Sequence, residues 1–161
     1  MNSNQLKISF LALMTVGAWL LSSVFAPLCA AETKPYRITM VVFRGCEDAC
    51  LGFKNYWVDN KIPVEIEVLD AKTNAQLLPG FVKHVNATKP DLLVTWGTTV
   101  SLAMLGTTDH VDPAKHVTEV PALFMIASTP VGSKLVSSLN VPGRNVSGTC
   151  LLYTSPSPRD S

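Results

Sequence analysis

A regular alternation of short apolar runs with stretches of helical periodicity constrains this chain more than any other feature. The runs typical of β-strands are 37–43, 64–68, 91–96, 121–126 and 145–148. Between them, helical spacing or a helix-start signal predicts helices over 46–60, around 78–85, over 98–105 and from Pro130 to about Leu139. Because successive strand-helix-strand units make right-handed crossovers, this order predicts an α/β fold with a doubly wound parallel sheet.

The apolar patterns also predict the order of the strands. Runs 37–43 and 91–96 are continuously apolar, as expected of strands buried on both faces. In 64–68 the apolar residues alternate with Glu65 and Glu67, which indicates an edge strand. We therefore predict the flavodoxin-like order 2-1-3-4-5, with a ligand crevice beyond the carboxyl ends of strands one and three.

The amino-terminal segment predicts export. Lys7 precedes an apolar run from Ile8 to Ala26, and small residues follow, so we interpret residues 1–31 as a signal peptide cleaved after Ala31. A transmembrane anchor and a lipoprotein anchor on Cys29 are the alternatives. The signal-peptide interpretation predicts a periplasmic or secreted protein.

The carboxyl-terminal segment 150–161 breaks with the composition that precedes it. Its back-translation resembles a transposon-type sequencing-library adapter, so we expect read-through and not native protein from residue 150 onward. A disordered tail is the alternative. On the adapter interpretation the natural protein continues past Thr149.

Residues 32–149 make up the folded portion and are electrically balanced. They contain eleven Lys and Arg against eleven Asp and Glu, and no basic patch that favours nucleic acid. At roughly 120 residues this portion is long enough for one hydrophobic core and too short for two. We expect a monomer that does not bind nucleic acid.

Three loops at the predicted crevice carry small and hydroxylated residues before a predicted helix. They are Arg44-Gly45, Thr98-Thr99 and Ser128-Thr129. Free N–H groups at helix starts attract anions, and a carboxylate is the simplest candidate ligand. The alternative is that Thr98, Ser128 or Thr129 only cap their own helices.

Several other kinds of site are disfavoured. No phosphate-loop lysine follows 97–99 and no Gly-x-Gly-x-x-Gly follows the first strand, so we expect no nucleotide cofactor. Asp109, His110, Asp112 and His116 match no closed zinc site and are predicted to be solvated loop residues. No catalytic triad is recognisable, and we expect neither a metal nor a catalytic residue.

Cys46 and Cys50 are separated by three residues, which is not the spacing of thioredoxin-type motifs. In an oxidising compartment a disulfide is the first hypothesis, provided that Cys46 lies just before the helix. Two cysteines four apart within a regular helix pair poorly, so free thiols and a metal site stay open as alternatives.

Four segments together resemble a known family, and the likeness covers residues 37–149. In order they are VVFRGCEDACLGFKNYW, KPDLLVTWGTTVSLAMLG, VPALFMIASTPVGSKLV and PGRNVSGT. They are similar to the substrate-binding proteins of ABC transporters with the type I periplasmic-binding fold, in the branch with tryptophan- and tyrosine-binding members. The resemblance implies that residues 32–149 are the first of two lobes.

The resemblance further implies ligand contacts from Arg44, Gly45, Thr98, Thr99, Ser128 and Thr129. The implied function is extracytoplasmic capture of a small carboxylate, such as an amino acid, for a membrane permease, without enzymatic activity. Two alternatives remain: an extracytoplasmic sensor input domain of the same fold, and a racemase-like enzyme that uses Cys46.

Overall fold

The computed structural model describes residues 34–151. The predicted signal peptide 1–31 and all but the first two residues of the segment 150–161 lie outside the described residues. The strands are β1 (Tyr36–Val42), β2 (Val64–Asp70), β3 (Leu92–Trp96), β4 (Ala122–Ala127) and β5 (Val146–Cys150). The α-helices are α1 (Asp48–Asp59), α2 (Leu78–Thr88) and α3 (Thr98–Leu105), and a short 3-10 turn, Ala75–Leu77, precedes α2.

The five strands form a parallel sheet in the order β2-β1-β3-β4-β5, which confirms the predicted order. Met40 of β1 pairs with Val68 of β2 on one side and with Val94 of β3 on the other. β2 is the edge strand that its alternating pattern predicted, and Glu65 and Glu67 are exposed. The ends of β1 and β3 therefore meet at one rim, where the order of the strands reverses.

Helices cover both faces of the sheet and produce two apolar clusters. On one face, Cys50 of α1 packs with Met40 and Val94. On the other face, α2 and α3 pack Val82 and Met104 against the sheet. The sheet is thus doubly wound, as predicted. Within residues 34–151 no helix combines the length and apolarity needed to cross a membrane.

The helix predicted from Pro130 to about Leu139 is wrong, because this segment consists of turns. The Pro130 carbonyl accepts hydrogen bonds from the N–H groups of Leu135, at 2.8 Å, and Val136, at 3.2 Å. Lys134 adopts a φ of 59°, which a right-handed helix cannot contain. Glycine and serines in this segment are weak helix formers, so the tertiary contacts of the buried Leu135 and Val136 determine its path.

Candidate functional site

A cleft of about 320 Å³ lies at the carboxyl ends of β1, β3 and β4. Four of the six predicted binding residues line it: Arg44, Gly45, Thr98 and Thr99. The other lining residues are Phe43, Glu47, Trp96, Gly97, Val100, Ile126 and Leu151. Leu151 falls in the segment that we expect to be non-native, and the site does not depend on it. The cleft occupies the position at which parallel α/β sheets bind ligands.

Two glycines shape the floor of the cleft. Gly45 has a φ of 87° and Gly97 a φ of 84°, values that side-chain-bearing residues rarely adopt. No atom lies within 4 Å of the position that a Cβ would occupy at either glycine. The Asp70 carboxylate holds the first turn by accepting from the Gly45 N–H at 3.1 Å. Both turns thus expose backbone to the cleft.

The first residues of α3, Thr98, Thr99 and Val100, line the cleft. The Gly97 N–H donates to the Met125 carbonyl at 2.8 Å, and the Ser101 N–H donates to the Gly97 carbonyl at 3.1 Å. The N–H groups of residues 98–100, between these two, have no hydrogen-bond partner within the part of the chain that the structure describes. Such groups carry the positive end of the helix dipole and favour an anion.

Thr98 does not cap its own helix, contrary to the alternative that its position suggested. Gly97 is the N-cap of α3, and no side chain caps that end. The Thr98 hydroxyl instead accepts a hydrogen bond from the Ser128 N–H at 3.1 Å. A hydroxyl that accepts one bond keeps its own proton, so Thr98 can still donate to a ligand.

Ser128 and Thr129 are predicted binding residues that do not line this cleft. Both are exposed, and the next element of the described chain is β5, so no helix amino terminus lies at this loop. Ile126 reaches the cleft instead, at a point where the pairing of β4 with β5 shifts and Ile126 takes a φ of 53°. This irregularity changes which side chains beyond β4 face the cleft.

The lining of the cleft also has an apolar part, whose aromatic members are Trp96 and Phe43. Trp96 ends β3 and is 9% exposed, with most of its ring packed in the cluster on the α1 face. The position of Trp96 directly before Gly97 is a signal in the sequence for a residue at the cleft, whereas nothing in the sequence points to Ile126. Phe43 ends the first predicted strand and could have been proposed on that ground.

Arg44 and Glu47 form an exposed ion pair at the cleft mouth. The Arg44 Nε lies 2.8 Å from the Glu47 Oε1. Exposed pairs of this kind contribute little to stability. The remaining guanidinium N–H groups of Arg44 form no further hydrogen bond within residues 34–151 and can therefore meet a ligand or solvent.

Cys46 and Cys50 are joined by a disulfide next to the cleft. Cys46 lies before α1, which begins at Asp48, so the two cysteines do not both lie within the regular helix. Their Cα atoms are 5.2 Å apart, within the range that disulfides require. The Cys50 sulfur is buried beside the Met40 sulfur, 3.2 Å away. The bond would therefore tie the rim loop after β1 to the core.

Two of the residues considered for zinc, Asp109 and Asp112, have other partners. Asp109 pairs with Lys134, and the Asp112 carboxylate accepts from the Ala114 N–H at 2.9 Å. Within residues 34–151 no group of three or more His, Cys, Asp or Glu side chains is arranged to hold a metal ion.

A larger groove, of about 510 Å³, lies elsewhere, between α2, α3 and residues 114–116. Its lining is mainly apolar helix side chains, and Thr99 is the one predicted binding residue that it shares. We favour the smaller cleft as the site, because strand ends, glycine turns and free N–H groups converge there.

The chain resembles solved substrate-binding proteins. It superimposes on an ABC domain from Streptococcus pneumoniae in complex with L-Trp with a TM-score of 0.59, 20% identity and 73% of this chain covered. It matches a conserved domain protein from Vibrio cholerae with a TM-score of 0.61, 20% identity and 71% coverage. A ligand-free, open substrate-binding protein with adhesive properties from Clostridium difficile gives a TM-score of 0.58, 22% identity and 71% coverage.

These similarities confirm the predicted fold, that of one lobe of a substrate-binding protein. The matched part spans only 38–39% of each solved chain, which fits a single lobe. The sequence matches no protein-family model and no curated protein.

Proposed function

We propose that residues 32–149 are the first lobe of an extracytoplasmic solute-binding protein that captures a small carboxylate for an ABC transporter. An amino acid is the ligand class that we favour. The observation that carries the proposal is the set of unpartnered N–H groups at residues 98–100, which stand in a cleft beside Trp96.

A carboxylate suits these groups better than a neutral ligand does. Its two oxygens can accept several hydrogen bonds at once, and its charge interacts favourably with the helix dipole. The Thr98 hydroxyl, already oriented by the Ser128 N–H, supplies one more donor at the same edge. Charge-assisted bonds of this kind are roughly twice as strong as neutral ones.

The apolar part of the lining favours a ligand with an apolar or aromatic side chain. Trp96, Phe43 and Ile126 line the cleft. Among its described lining residues, only Arg44 and Glu47 are charged. The structurally similar Streptococcus pneumoniae domain is in complex with L-Trp. L-tryptophan is therefore the first ligand that we would test.

The proposal includes a second lobe, beyond residue 149, that closes over the ligand. Binding pockets normally cover most of their ligand's surface, and this cleft supplies one wall. Export through the predicted signal peptide 1–31 would place the protein outside the cytoplasm, where it would meet its permease. We propose no enzymatic role: with Cys46 paired to Cys50, the Cys46 thiolate that the racemase-like alternative requires is not available as a nucleophile.

Calorimetry on the full-length mature protein tests the proposal. L-tryptophan is titrated beside L-tryptophanol, which keeps the indole and the amine but lacks the carboxylate. We expect saturable binding of the first and little binding of the second. Equal binding of both would refute the carboxylate assignment, and an absence of binding to every amino acid would refute the ligand class. A transmembrane helix and signalling module after Thr149 would favour the sensor alternative over transport.

A further inference from the structure

We propose that Ser101 is a positioning residue for the cleft, although it contacts no ligand. Its hydroxyl holds the Gly97 carbonyl and thereby sets the direction of the Thr98 N–H, and Thr95 holds Ser101 in turn. This inference rests on the proposed function, since it explains how the site is oriented.

The two hydroxyls form a chain with a defined direction. The Ser101 Oγ donates to the Gly97 carbonyl oxygen at 2.7 Å, and the Ser101 and Thr95 hydroxyl oxygens are 2.9 Å apart. A serine hydroxyl has one proton, and a carbonyl can only accept, so that proton goes to Gly97. Thr95 must therefore donate to Ser101.

The geometry of the peptide bond carries this constraint to the cleft. The 97–98 peptide is trans and planar, so its carbonyl and its N–H point in opposite directions. The backbone N–H and the hydroxyl of Ser101 both donate to the Gly97 carbonyl oxygen, and they keep this carbonyl directed into the helix. The Thr98 N–H is consequently directed away from the helix, toward the cleft that Thr98 lines.

A serine that bonds the carbonyl four residues earlier is common in helices and often has no functional meaning. Three features set this one apart. Thr95 and Ser101 are both fully buried, the second hydroxyl comes from a strand, and the carbonyl that they hold belongs to a glycine with a φ of 84°. Gly97 has the freedom to rotate, so an external constraint is needed to fix its turn.

The experiment compares four variants of the full-length protein. Ser101→Ala and Thr95→Val remove one hydroxyl each, and Thr95→Ser keeps it. Thr39→Val is the matched control: Thr39 is a buried strand threonine, 3% exposed, whose hydroxyl bonds Glu67 at 3.2 Å and not Gly97. The readouts are affinity for L-tryptophan, the free energy of unfolding, and the amide NMR resonance of Thr98 in the unliganded protein.

We expect Ser101→Ala and Thr95→Val to lower affinity about tenfold, the effect of one misaligned hydrogen bond. Thr95→Ser and Thr39→Val should stay within about twofold of wild type, although Thr39→Val loses a partly buried hydrogen bond of its own. The Thr98 resonance should move in Ser101→Ala and Thr95→Val only.

Two results would overturn the positioning role: equal losses of affinity in Thr95→Val and Thr39→Val, or an unmoved Thr98 resonance in Ser101→Ala. If wild type binds no amino acid, the proposed function fails. The unliganded Thr98 resonance then still decides whether Ser101 orients the 97–98 peptide.

Discussion

The Thr98 hydroxyl accepts a hydrogen bond from the Ser128 N–H at 3.1 Å, between residues that are 30 positions apart in sequence. The bond joins the start of α3 to the loop after β4 at the rim where the cleft opens. Ser128 thus contributes to the site by orienting Thr98, without lining the cleft itself. The same hydroxyl retains a proton that can be donated to a ligand.

Replacing Thr98 with valine removes this hydroxyl and keeps the side-chain shape. We expect affinity for L-tryptophan to fall by about 1–3 kcal/mol, since a buried ligand oxygen would lose its donor. Thr98→Ser should retain most of the affinity. Thr118→Val is the matched control, because Thr118 is exposed, lies outside the cleft, and its hydroxyl forms no hydrogen bond within the described residues.

Calorimetry on these three variants provides the measurement. If Thr98→Val binds as tightly as wild type while folding normally, the Thr98 hydroxyl only joins α3 to the loop after β4 and is not a ligand contact.

The Gly97 turn should not tolerate a side chain, even though there is room for one. Gly97 has φ 84° and ψ 162°, a region that is essentially restricted to glycine. We expect Gly97→Ala to cost about 1–3 kcal/mol of stability through backbone strain. Gly80, inside α2, also has open space around its Cβ position, and Gly80→Ala should stabilise the protein by about 0.5–1 kcal/mol.

Denaturant unfolding of the two alanine variants measures these opposite effects. A Gly97→Ala variant as stable as wild type would show that the turn can relax, and the account of a rigid cleft floor would fail.

Stability should decrease on acidification because of His116. Its Nδ1 accepts a hydrogen bond from the Asp112 N–H at 3.0 Å, which requires the unprotonated atom. Burial lowers the pKa of His116, nearby His110, Arg144 and Lys115 lower it further, and Asp112 opposes them. The unfolded chain therefore binds more protons than the folded one once the pH drops below the ordinary histidine pKa of about 6.5. Stability should fall from that pH down to the lowered pKa of the folded protein.

The variant His116→Asn has no titrating side chain at position 116, so stability should depend less on pH in this range. Thermal unfolding from about pH 7 to pH 5 gives the comparison. Identical slopes for His116→Asn and wild type would show that another group causes the pH dependence.

The Cys46–Cys50 bond should be present in exported protein. Alkylation followed by mass spectrometry should label neither cysteine before reduction and both after it. Because the bond closes a short loop, with a sequence separation of 4, its reduction should cost about 2 kcal/mol of stability on the loop-entropy estimate. Two alkylated thiols in unreduced protein would contradict the prediction.

The order of the strands could be predicted because the apolar pattern within each run indicates how deeply that strand is buried. The alternation around Glu65 and Glu67 indicated an edge, and the continuous run that ends at Trp96 indicated the centre. The boundaries of α3 were also predictable, because Gly97 and Gly106 flank its apolar stretch.

The loop after β4 could not be predicted from local pattern. Pro130 resembles a helix start, yet the buried Leu135 and Val136 draw the chain into turns. The hydrogen bond between Thr98 and Ser128 depends on two segments, the start of α3 and the loop after β4, which meet only after the sheet has formed. Neither feature has a signal within a single segment of the sequence.

The most direct test of the central claim is an amide NMR titration of the full-length mature protein with L-tryptophan, with L-tryptophanol as the control ligand. If the amino terminus of α3 binds the carboxylate, the N–H resonances of Thr98, Thr99 and Val100 should move most, and only with L-tryptophan. Saturation with L-tryptophan that leaves these three resonances in place, or equal movement with L-tryptophanol, would contradict the account.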